Sequence, residues 1–272
     1  MGKLVVLVKT SRPLGWAIAP LVFLIGFSFS PGGLTFLPIL QILLLSFPYC
    51  IFLYGINDIY DYKSDKLNPR KKLLEGIKLE PRYHSFIKRV SIAVVFLLVT
   101  SSLLTFNISN ILGILLLLFF SYFYSAPPLQ FKERPPLDSL SNGILYFFAP
   151  FVIGYSFGNS FFTIPLKIYL TTVCAMGLHS FSTIMDYSAD KKVGDKTFSV
   201  VLGKRSAAIF AFFLFTFILL FARFESAAIT YYLLFCSLLF SITAIHPSEK
   251  LASSFFKLIF AGFIITAMAF LA

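Results

Sequence analysis

Charged residues are scarce in this chain, and acidic residues are the scarcest. Asp, Glu, Lys and Arg make up 13% of the 272 residues, whereas 58% are hydrophobic. The mean hydropathy of +0.85 is far above that of an ordinary soluble domain. The composition excludes a soluble globular protein and predicts a polytopic membrane protein.

Cysteine is rarer still. Cys50, Cys174 and Cys236 lie far apart in the sequence and lack the spacing of metal ligands, so we interpret them as packing residues. The sequence has no glycine-rich nucleotide-binding loop. No small-residue cleavage site closes the first apolar stretch, which we therefore predict to be a retained span and not a signal peptide.

Long hydrophobic runs are abundant. Stretches near the roughly 20 residues that cross a bilayer recur along the whole chain. We predict an all-α membrane protein with a single domain, 1–272, made of two related halves at about 1–130 and 131–272. About nine helices would surround a central cavity open to the cytoplasmic side. The predicted spans are 14–30, 34–54, 87–106, 108–125, 138–157, 162–184, 206–222, 226–245 and 251–271.

The basic residues predict the orientation. With a cytoplasmic N-terminus, 20 of the 23 Lys and Arg fall in cytoplasmic segments. This asymmetry is the one that positions membrane proteins with their positive loops inside. We attribute the net charge of +11 to attraction between these basic residues and both the inner membrane surface and an anionic substrate. A nucleic-acid partner is therefore not needed to explain it. We expect a multi-pass cell-membrane protein whose active-site loops are cytoplasmic.

Five of the 12 acidic residues form two short clusters, each directly after a predicted span. On a helix, steps of three and four residues return a side chain to the same face. Two carboxylates about 5 Å apart repel by about 3 kcal/mol at an effective dielectric near 20, which indicates that cations sit between them. Oxygen ligands favour Mg²⁺ completed by phosphate oxygens. The five are Asp58, Asp61, Asp65, Asp186 and Asp190.

Basic side chains accompany both clusters. Arg70 follows the first cluster and Lys191 the second, whereas Lys132 and Arg134 lie in the proline-rich segment 125–138. Because proline cannot continue a helix, we expect this segment to be stiff and extended. Together these cations supply the point charges and bidentate contacts that a diphosphate needs.

Three further polar residues each allow two interpretations. Asn57 could donate to a phosphate oxygen or orient an aspartate, or it could only cap a helix. Asp195 could ligate metal directly, although a supporting loop role is favoured because it lies half a turn off the column of Asp186 and Asp190. His179 lies seven residues before Asp186 and is either a packed histidine or one that positions the acceptor or handles a proton.

The two motifs and the nine predicted spans resemble the UbiA-type intramembrane prenyltransferases. The first motif is Asn-Asp-x-x-Asp-x-x-x-Asp at 57–65, and the second is Asp-x-x-x-Asp at 186–190. The resemblance implies helices around a central cavity, with Mg²⁺ bridging both motifs to the diphosphate of an isoprenyl donor. It implies metal binding by the five aspartates, Asn57 as part of the first motif, and diphosphate contacts by Arg70 and Lys132. We predict catalytic roles for Asp58, Asp61, Asp186 and Asp190, and because of their charge or hydrogen-bonding groups we add Asn57, Arg134 and Lys191 to the diphosphate-binding residues.

Some stretches are similar to the carotenoid-prenylating branch, the lycopene elongases. They include 54–62, 68–71, 124–128 and 138–143. The segment 124–128 is also similar to members that prenylate chlorophyllide or glycerol-based lipids. We therefore predict transfer of an isoprenyl group to a hydrophobic acceptor such as lycopene, with quinone-precursor aromatics, chlorophyllide-like compounds and glycerol lipids as alternatives.

Two other classes of membrane protein are less consistent with the motifs. A phospholipid head-group transferase would carry Asp-Gly and Ala-Arg elements, which both clusters lack. A lipid transporter would place its ionisable groups near the membrane midplane on broken helices, whereas these aspartates follow predicted spans. Release of pyrophosphate from a prenyl diphosphate would distinguish the enzyme from the transporter.

Overall fold

The computed structural model describes residues 2–66, 77–222 and 224–272. Within these ranges the secondary structure is helical, with no strand, which confirms the predicted all-α class. The α-helices are α1 Lys3–Thr10, α2 Ile18–Phe27, α3 Phe36–Leu45, α4 Phe47–Tyr60, α5 Tyr62–Asp65, α6 His84–Leu103, α7 Ile108–Ser125, α8 Leu137–Gly143, α9 Ala149–Tyr155, α10 Leu166–Ser182, α11 Tyr187–Val193, α12 Phe198–Leu202, α13 Lys204–Phe221, α14 Ala227–Ile245 and α15 Glu249–Leu271.

The helices have the length and apolar character of a multi-pass membrane protein. In the described ranges, eight helical stretches could cross a bilayer, and some of them, such as Phe36–Tyr60, join consecutive helices. Counting the bent pair Lys3–Thr10 and Pro13–Phe27 as one more span gives nine. Large apolar side chains on many of them are exposed, as lipid-facing surfaces require. The predicted number of spans agrees with the upper count.

Three predicted features differ from the structure. The first span begins earlier than expected and bends by 50°. The second and sixth spans run on to Tyr60 and Val193, because helical hydrogen bonding continues through the polar residues that we assigned to loops. The proline-rich segment is folded into turns and is not extended, since proline's fixed φ suits turns as well as extended chain. Its turns include a short 3₁₀ helix, Phe131–Glu133.

One compact unit comprises residues 1–130 and 149–164. Its helices pack closely where glycine replaces a side chain: a Cβ on Gly154 would overlap the carbonyl of Phe23, and one on Gly26 would overlap that of Phe151. Small residues bring membrane helices together in this way. A buried amide pair also links helices α3 and α7, since Gln41 and Asn110 exchange hydrogen bonds of 2.9 and 3.0 Å.

A second compact unit comprises residues 131–148 and 165–272. Its core is formed by apolar residues of α10, α13, α14 and α15, with Phe181, Phe215 and Phe240 among the most deeply buried. Cys174 and Cys236 belong to this core, and Cys50 is buried in the first unit. Their burial agrees with the packing role predicted for all three.

Candidate active site

The first aspartate cluster lies where α4 ends. Asn57 and Asp58 belong to the last turns of α4, Asp61 caps it, and Asp65 closes the short helix α5. Pro48 in the first turn of α4 suits a helix start, and the helix then runs without interruption to the polar residues. Asp58 is completely buried and Asp65 is 5% exposed.

Asn57 connects this cluster internally. Its Nδ2 donates to Asp61 Oδ2 over 2.7 Å and to Ser125 Oγ over 2.9 Å. The first contact spans four residues along the helix, and the second ties the cluster to the end of α7. Asn57 therefore orients an aspartate, which is one of the roles that the sequence allowed.

Arg12 completes the cluster from the N-terminal segment. Its Nη2 lies 2.9 Å from Asp58 Oδ1 and 3.3 Å from Asn57 Oδ1. Its Cζ lies 4.3 Å from the ring centroid of Tyr54, within the range of a cation–π contact. From the sequence alone, Arg12 is only one of the 20 basic residues predicted to be cytoplasmic. Its proximity to proline and glycine in Arg12-Pro13-Leu14-Gly15 is the only local signal that the chain turns there.

The second cluster lies in the second unit. Asp186 ends a 3₁₀ turn, Thr183–Asp186, that follows α10, and Asp190 lies in α11. Helix α11 is capped at its C-terminal end by Gly194, whose φ of 83° is readily available only to glycine. The turn brings Thr197 back, so that its Oγ1 donates to Asp190 Oδ2 over 3.0 Å.

A buried clamp fixes the chain that follows this turn. Asp138, which is completely buried, accepts hydrogen bonds from the backbone N–H of Ser139 and, over 3.1 Å, from that of Phe198. Next to Phe198, the N–H of Ser199 donates to Thr183 Oγ1 over 3.1 Å, and Ser199 Oγ donates to the Thr183 carbonyl over 2.8 Å. Helix α12 is thus anchored to the turn that carries Asp186.

Charge is concentrated around Asp190. The charges of Asp186, Asp195 and Lys132 all act on its carboxylate. Two of these charges are repulsive and one is attractive. Within this unit, Lys132 therefore lies near enough to Asp190 for their opposite charges to attract each other.

The other predicted residues have different surroundings. Lys191 is exposed, and its Nζ lies 3.4 Å from the hydroxyl of Tyr187. Arg134 follows the short 3₁₀ helix and is exposed. His179 is half-buried and shares a 3.1 Å hydrogen bond with Ser139 Oγ. Arg70 lies outside the described residues.

The donor atoms of both clusters fit a hard divalent cation. Each cluster offers carboxylate oxygens, which are the ligands of Mg²⁺. Among the residues that the structure describes, no three Asp, Glu, His or Cys side chains converge to hold a metal by themselves. Mg²⁺ does not need such a cage, because it is typically held by one or two carboxylates and completes its shell with water and substrate phosphates.

Comparison with known proteins agrees with this fold. The model of the UbiA prenyltransferase family matches residues 19–267. A lycopene elongase/hydratase of Haloarcula japonica is 35% identical over 208 residues, 73% of this chain and 67% of that protein. A carotenoid biosynthesis protein of Dietzia sp. (strain CQ4), named for C(50) β-cyclic carotenoids, is 31% identical over 212 residues. That match covers 77% of this chain but only 49% of the Dietzia protein, so the chain spans about half of that relative.

Among solved structures, a UbiA homologue from Archaeoglobus fulgidus bound to GPP and Mg²⁺ has a TM-score of 0.68. The alignment covers 97% of this chain and 99% of that one at 23% sequence identity. Fold and apolar helices thus define an all-helical, multi-pass membrane protein. The chain belongs to the UbiA prenyltransferase family, which confirms the class of enzyme predicted from the sequence.

Proposed function

We propose that this protein transfers an isoprenyl group from an allylic isoprenyl diphosphate to the terminal double bond of a polyene such as lycopene. The observation that carries the proposal is a pair of oxygen-only aspartate motifs, each at the end of a long membrane helix, in a member of the UbiA family. The identity of 35% with a lycopene elongase/hydratase supports the choice of acceptor over the aromatic and glycerol-lipid alternatives.

The aspartates have the first role in the proposed reaction. Asp61, Asp65, Asp186 and Asp190 would supply carboxylates for divalent metal, and Asp58, also predicted as a ligand, pairs with Arg12 over 2.9 Å. Bound Mg²⁺ would neutralise the negative charge that develops on the diphosphate leaving group. Asn57 holds Asp61 in place, and Thr197 does the same for Asp190.

The basic residues have the second role. Lys132, whose charge already acts on Asp190, would stabilise the departing diphosphate as a point charge. Arg70, Arg134 and Lys191 would add further contacts to its oxygens. The carbon–oxygen bond breaks with its electron pair on the diphosphate, the allylic cation bonds to the acceptor's double bond, and the new cation then loses a proton.

The membrane orientation is part of the proposal. Because 20 of the 23 Lys and Arg would lie on one side with a cytoplasmic N-terminus, we place both aspartate clusters at the cytoplasmic surface. A water-soluble diphosphate donor could then reach the site from the cytoplasm. The apolar acceptor would enter from the bilayer, which dissolves polyenes.

Expression in a lycopene-producing bacterial host tests the acceptor directly. We expect the pigment extract to contain carotenoids heavier than lycopene by one or two five-carbon units. A variant with Asp61→Asn and Asp186→Asn, expressed at the same level, should leave lycopene unchanged. If the active protein also leaves lycopene unchanged, while purified enzyme releases pyrophosphate with an aromatic or glycerol-lipid acceptor, the polyene assignment is wrong.

A further inference from the structure

Arg12 occupies an unusual position in the backbone. It follows α1 at the 50° bend of the first span and has a φ of 49°, in the left-handed region that non-glycine residues rarely adopt. Two hydrogen bonds stabilise the bend: Trp16 Nε1 donates to Ser11 Oγ over 2.9 Å, and Ser46 Oγ donates to the Trp16 carbonyl over 3.0 Å. Such strain persists only where the surroundings impose it, and it is concentrated at functional sites.

The bend aims the guanidinium at the first aspartate motif. Arg12 Cζ lies 4.3 Å from the centroid of the Tyr54 ring, and Gly15 leaves room for that ring, since a Cβ there would lie 3.0 Å from the tyrosine hydroxyl oxygen. This cation–π contact holds the guanidinium against the ring. From that position Nη2 donates to Asp58 Oδ1 over 2.9 Å and to Asn57 Oδ1 over 3.3 Å.

The contact with Asn57 determines which way that amide faces. Because Arg12 donates to Asn57 Oδ1, the Nδ2 of Asn57 faces Asp61 and Ser125, to which it donates over 2.7 and 2.9 Å. The opposite orientation would set an N–H group against the guanidinium and an oxygen against the Asp61 carboxylate. Arg12 is therefore connected to Asp61 through a single amide whose direction it fixes.

We propose that Arg12 is a positioning residue of the first aspartate motif, acting through Asn57 on the metal-binding carboxylate of Asp61. Asp58 is the buried counter-ion that holds Arg12 in place, and metal binding in this cluster then falls to Asp61 and Asp65. The inference rests on the proposed function, because it assigns Asp61 to a metal and diphosphate site. Groups that orient the ligands of a metal commonly affect its affinity as strongly as do some ligands.

Arg12→Lys separates this role from a purely structural one. Lysine keeps a positive charge beside the buried Asp58, so the protein should fold, but its Nζ lies one bond closer to the backbone than the Nη2 that donates to both Asp58 and Asn57. We expect the Mg²⁺ concentration for half-maximal activity to rise by roughly tenfold or more. The thermal stabilisation by Mg²⁺ together with a non-hydrolysable prenyl diphosphate should fall in parallel. Arg89→Lys, at an exposed arginine of the same unit, is the matched control and should change neither quantity.

A double-mutant cycle tests the route through Asn57. If Arg12 acts through this amide, the Arg12→Lys/Asn57→Ala enzyme should need no more Mg²⁺ than Asn57→Ala alone, because the second change removes an interaction already lost. Asp58→Asn should reproduce the Mg²⁺ defect of Arg12→Lys. The inference would be overturned if the increases in Mg²⁺ requirement caused by Arg12→Lys and Asn57→Ala multiplied in the double variant. It would also be overturned if Arg12→Lys had the Mg²⁺ requirement of the parent, or if the defect of Asp58→Asn were far larger than that of Arg12→Lys.

Thermal melting tests the role of Arg12 independently of the proposed enzyme activity. If the parent enzyme released no pyrophosphate from any prenyl diphosphate, the proposed function would fail. The melting temperatures with and without Mg²⁺ and the analogue would still decide the role of Arg12: a smaller stabilisation of Arg12→Lys than of the parent supports it. Equal stabilisation of the two proteins contradicts it.

Discussion

Asp58 and Asp138 show what a carboxylate needs in order to be buried in a membrane protein. Asp58 has a guanidinium 2.9 Å away, and Asp138 accepts two backbone N–H groups. A buried charge without such partners would cost several kcal/mol, so each position depends on its neighbours. The sequence predicts Asp58 as a site residue but could not reveal its contact with Arg12, because the two positions are 46 residues apart.

Lys132 gives a prediction at the scale of single residues. Lys132→Ala should raise the Michaelis constant for the prenyl diphosphate about tenfold or slow its ionisation, since one charge-assisted contact is worth about 1.5–3 kcal/mol. Steady-state kinetics with varied donor concentration measure the effect. Lys167→Ala is the control, because Lys167 is exposed and pairs with Glu225. Equal defects in both variants would point to general destabilisation of the membrane protein.

The clamp at Asp138 gives a second residue-scale prediction. Asp138→Asn should lower the free energy of unfolding by about 1–3 kcal/mol, because an amide retains only one acceptor oxygen for the N–H groups of Ser139 and Phe198. Thermal melting in detergent measures the change. Glu80→Gln, at an exposed acid, should melt like the parent. An unchanged melting temperature of Asp138→Asn would show that the clamp adds nothing to stability.

Among the helices, apolar length predicted the spans well and their ends poorly. Spans such as 108–125 and 226–245 agree with α7 and α14 to within a residue. The spans that lead into the aspartates were predicted too short, because polar residues at a helix end satisfy the same backbone hydrogen bonds as apolar ones. Periodicity placed Asp58, Asp61 and Asp65 on one face. The contacts of Asp58 with Arg12 and of Asn57 with Ser125 depend on the bend after α1 and on α7, which no local pattern encodes.

The contact between α2 and α9 gives a prediction at the scale of the helices. Gly154→Ala should destabilise the protein by about 1–3 kcal/mol, because the new methyl group meets the backbone of Phe23 and the two helices must separate. Gly33→Ala is the matched control, since a Cβ there has no neighbour within 4 Å. Melting of the two variants side by side measures the difference. Equal melting temperatures would show that the helix pair tolerates a wider spacing.

In the whole molecule, the apolar helices and the few polar helix ends have different roles. Apolar helices provide the span through the membrane, and the scarce acidic residues are concentrated where a charged donor would bind. Water would quench an allylic cation, so chemistry of this type is suited to a site within apolar surroundings. The proposed reaction therefore uses the same composition that identified the chain as a membrane protein.

Release of pyrophosphate by the purified enzyme tests the central claim most directly. With a prenyl diphosphate, lycopene and Mg²⁺, we expect one pyrophosphate for each isoprenyl group added to lycopene, and none after chelation of the metal. Asp186→Asn should lower the rate roughly a hundredfold or more, since it removes a charge from the metal and diphosphate site, whereas Glu225→Gln at a 96% exposed acid should not. Undiminished pyrophosphate release in chelator, or near-parental turnover of Asp186→Asn, would contradict the account.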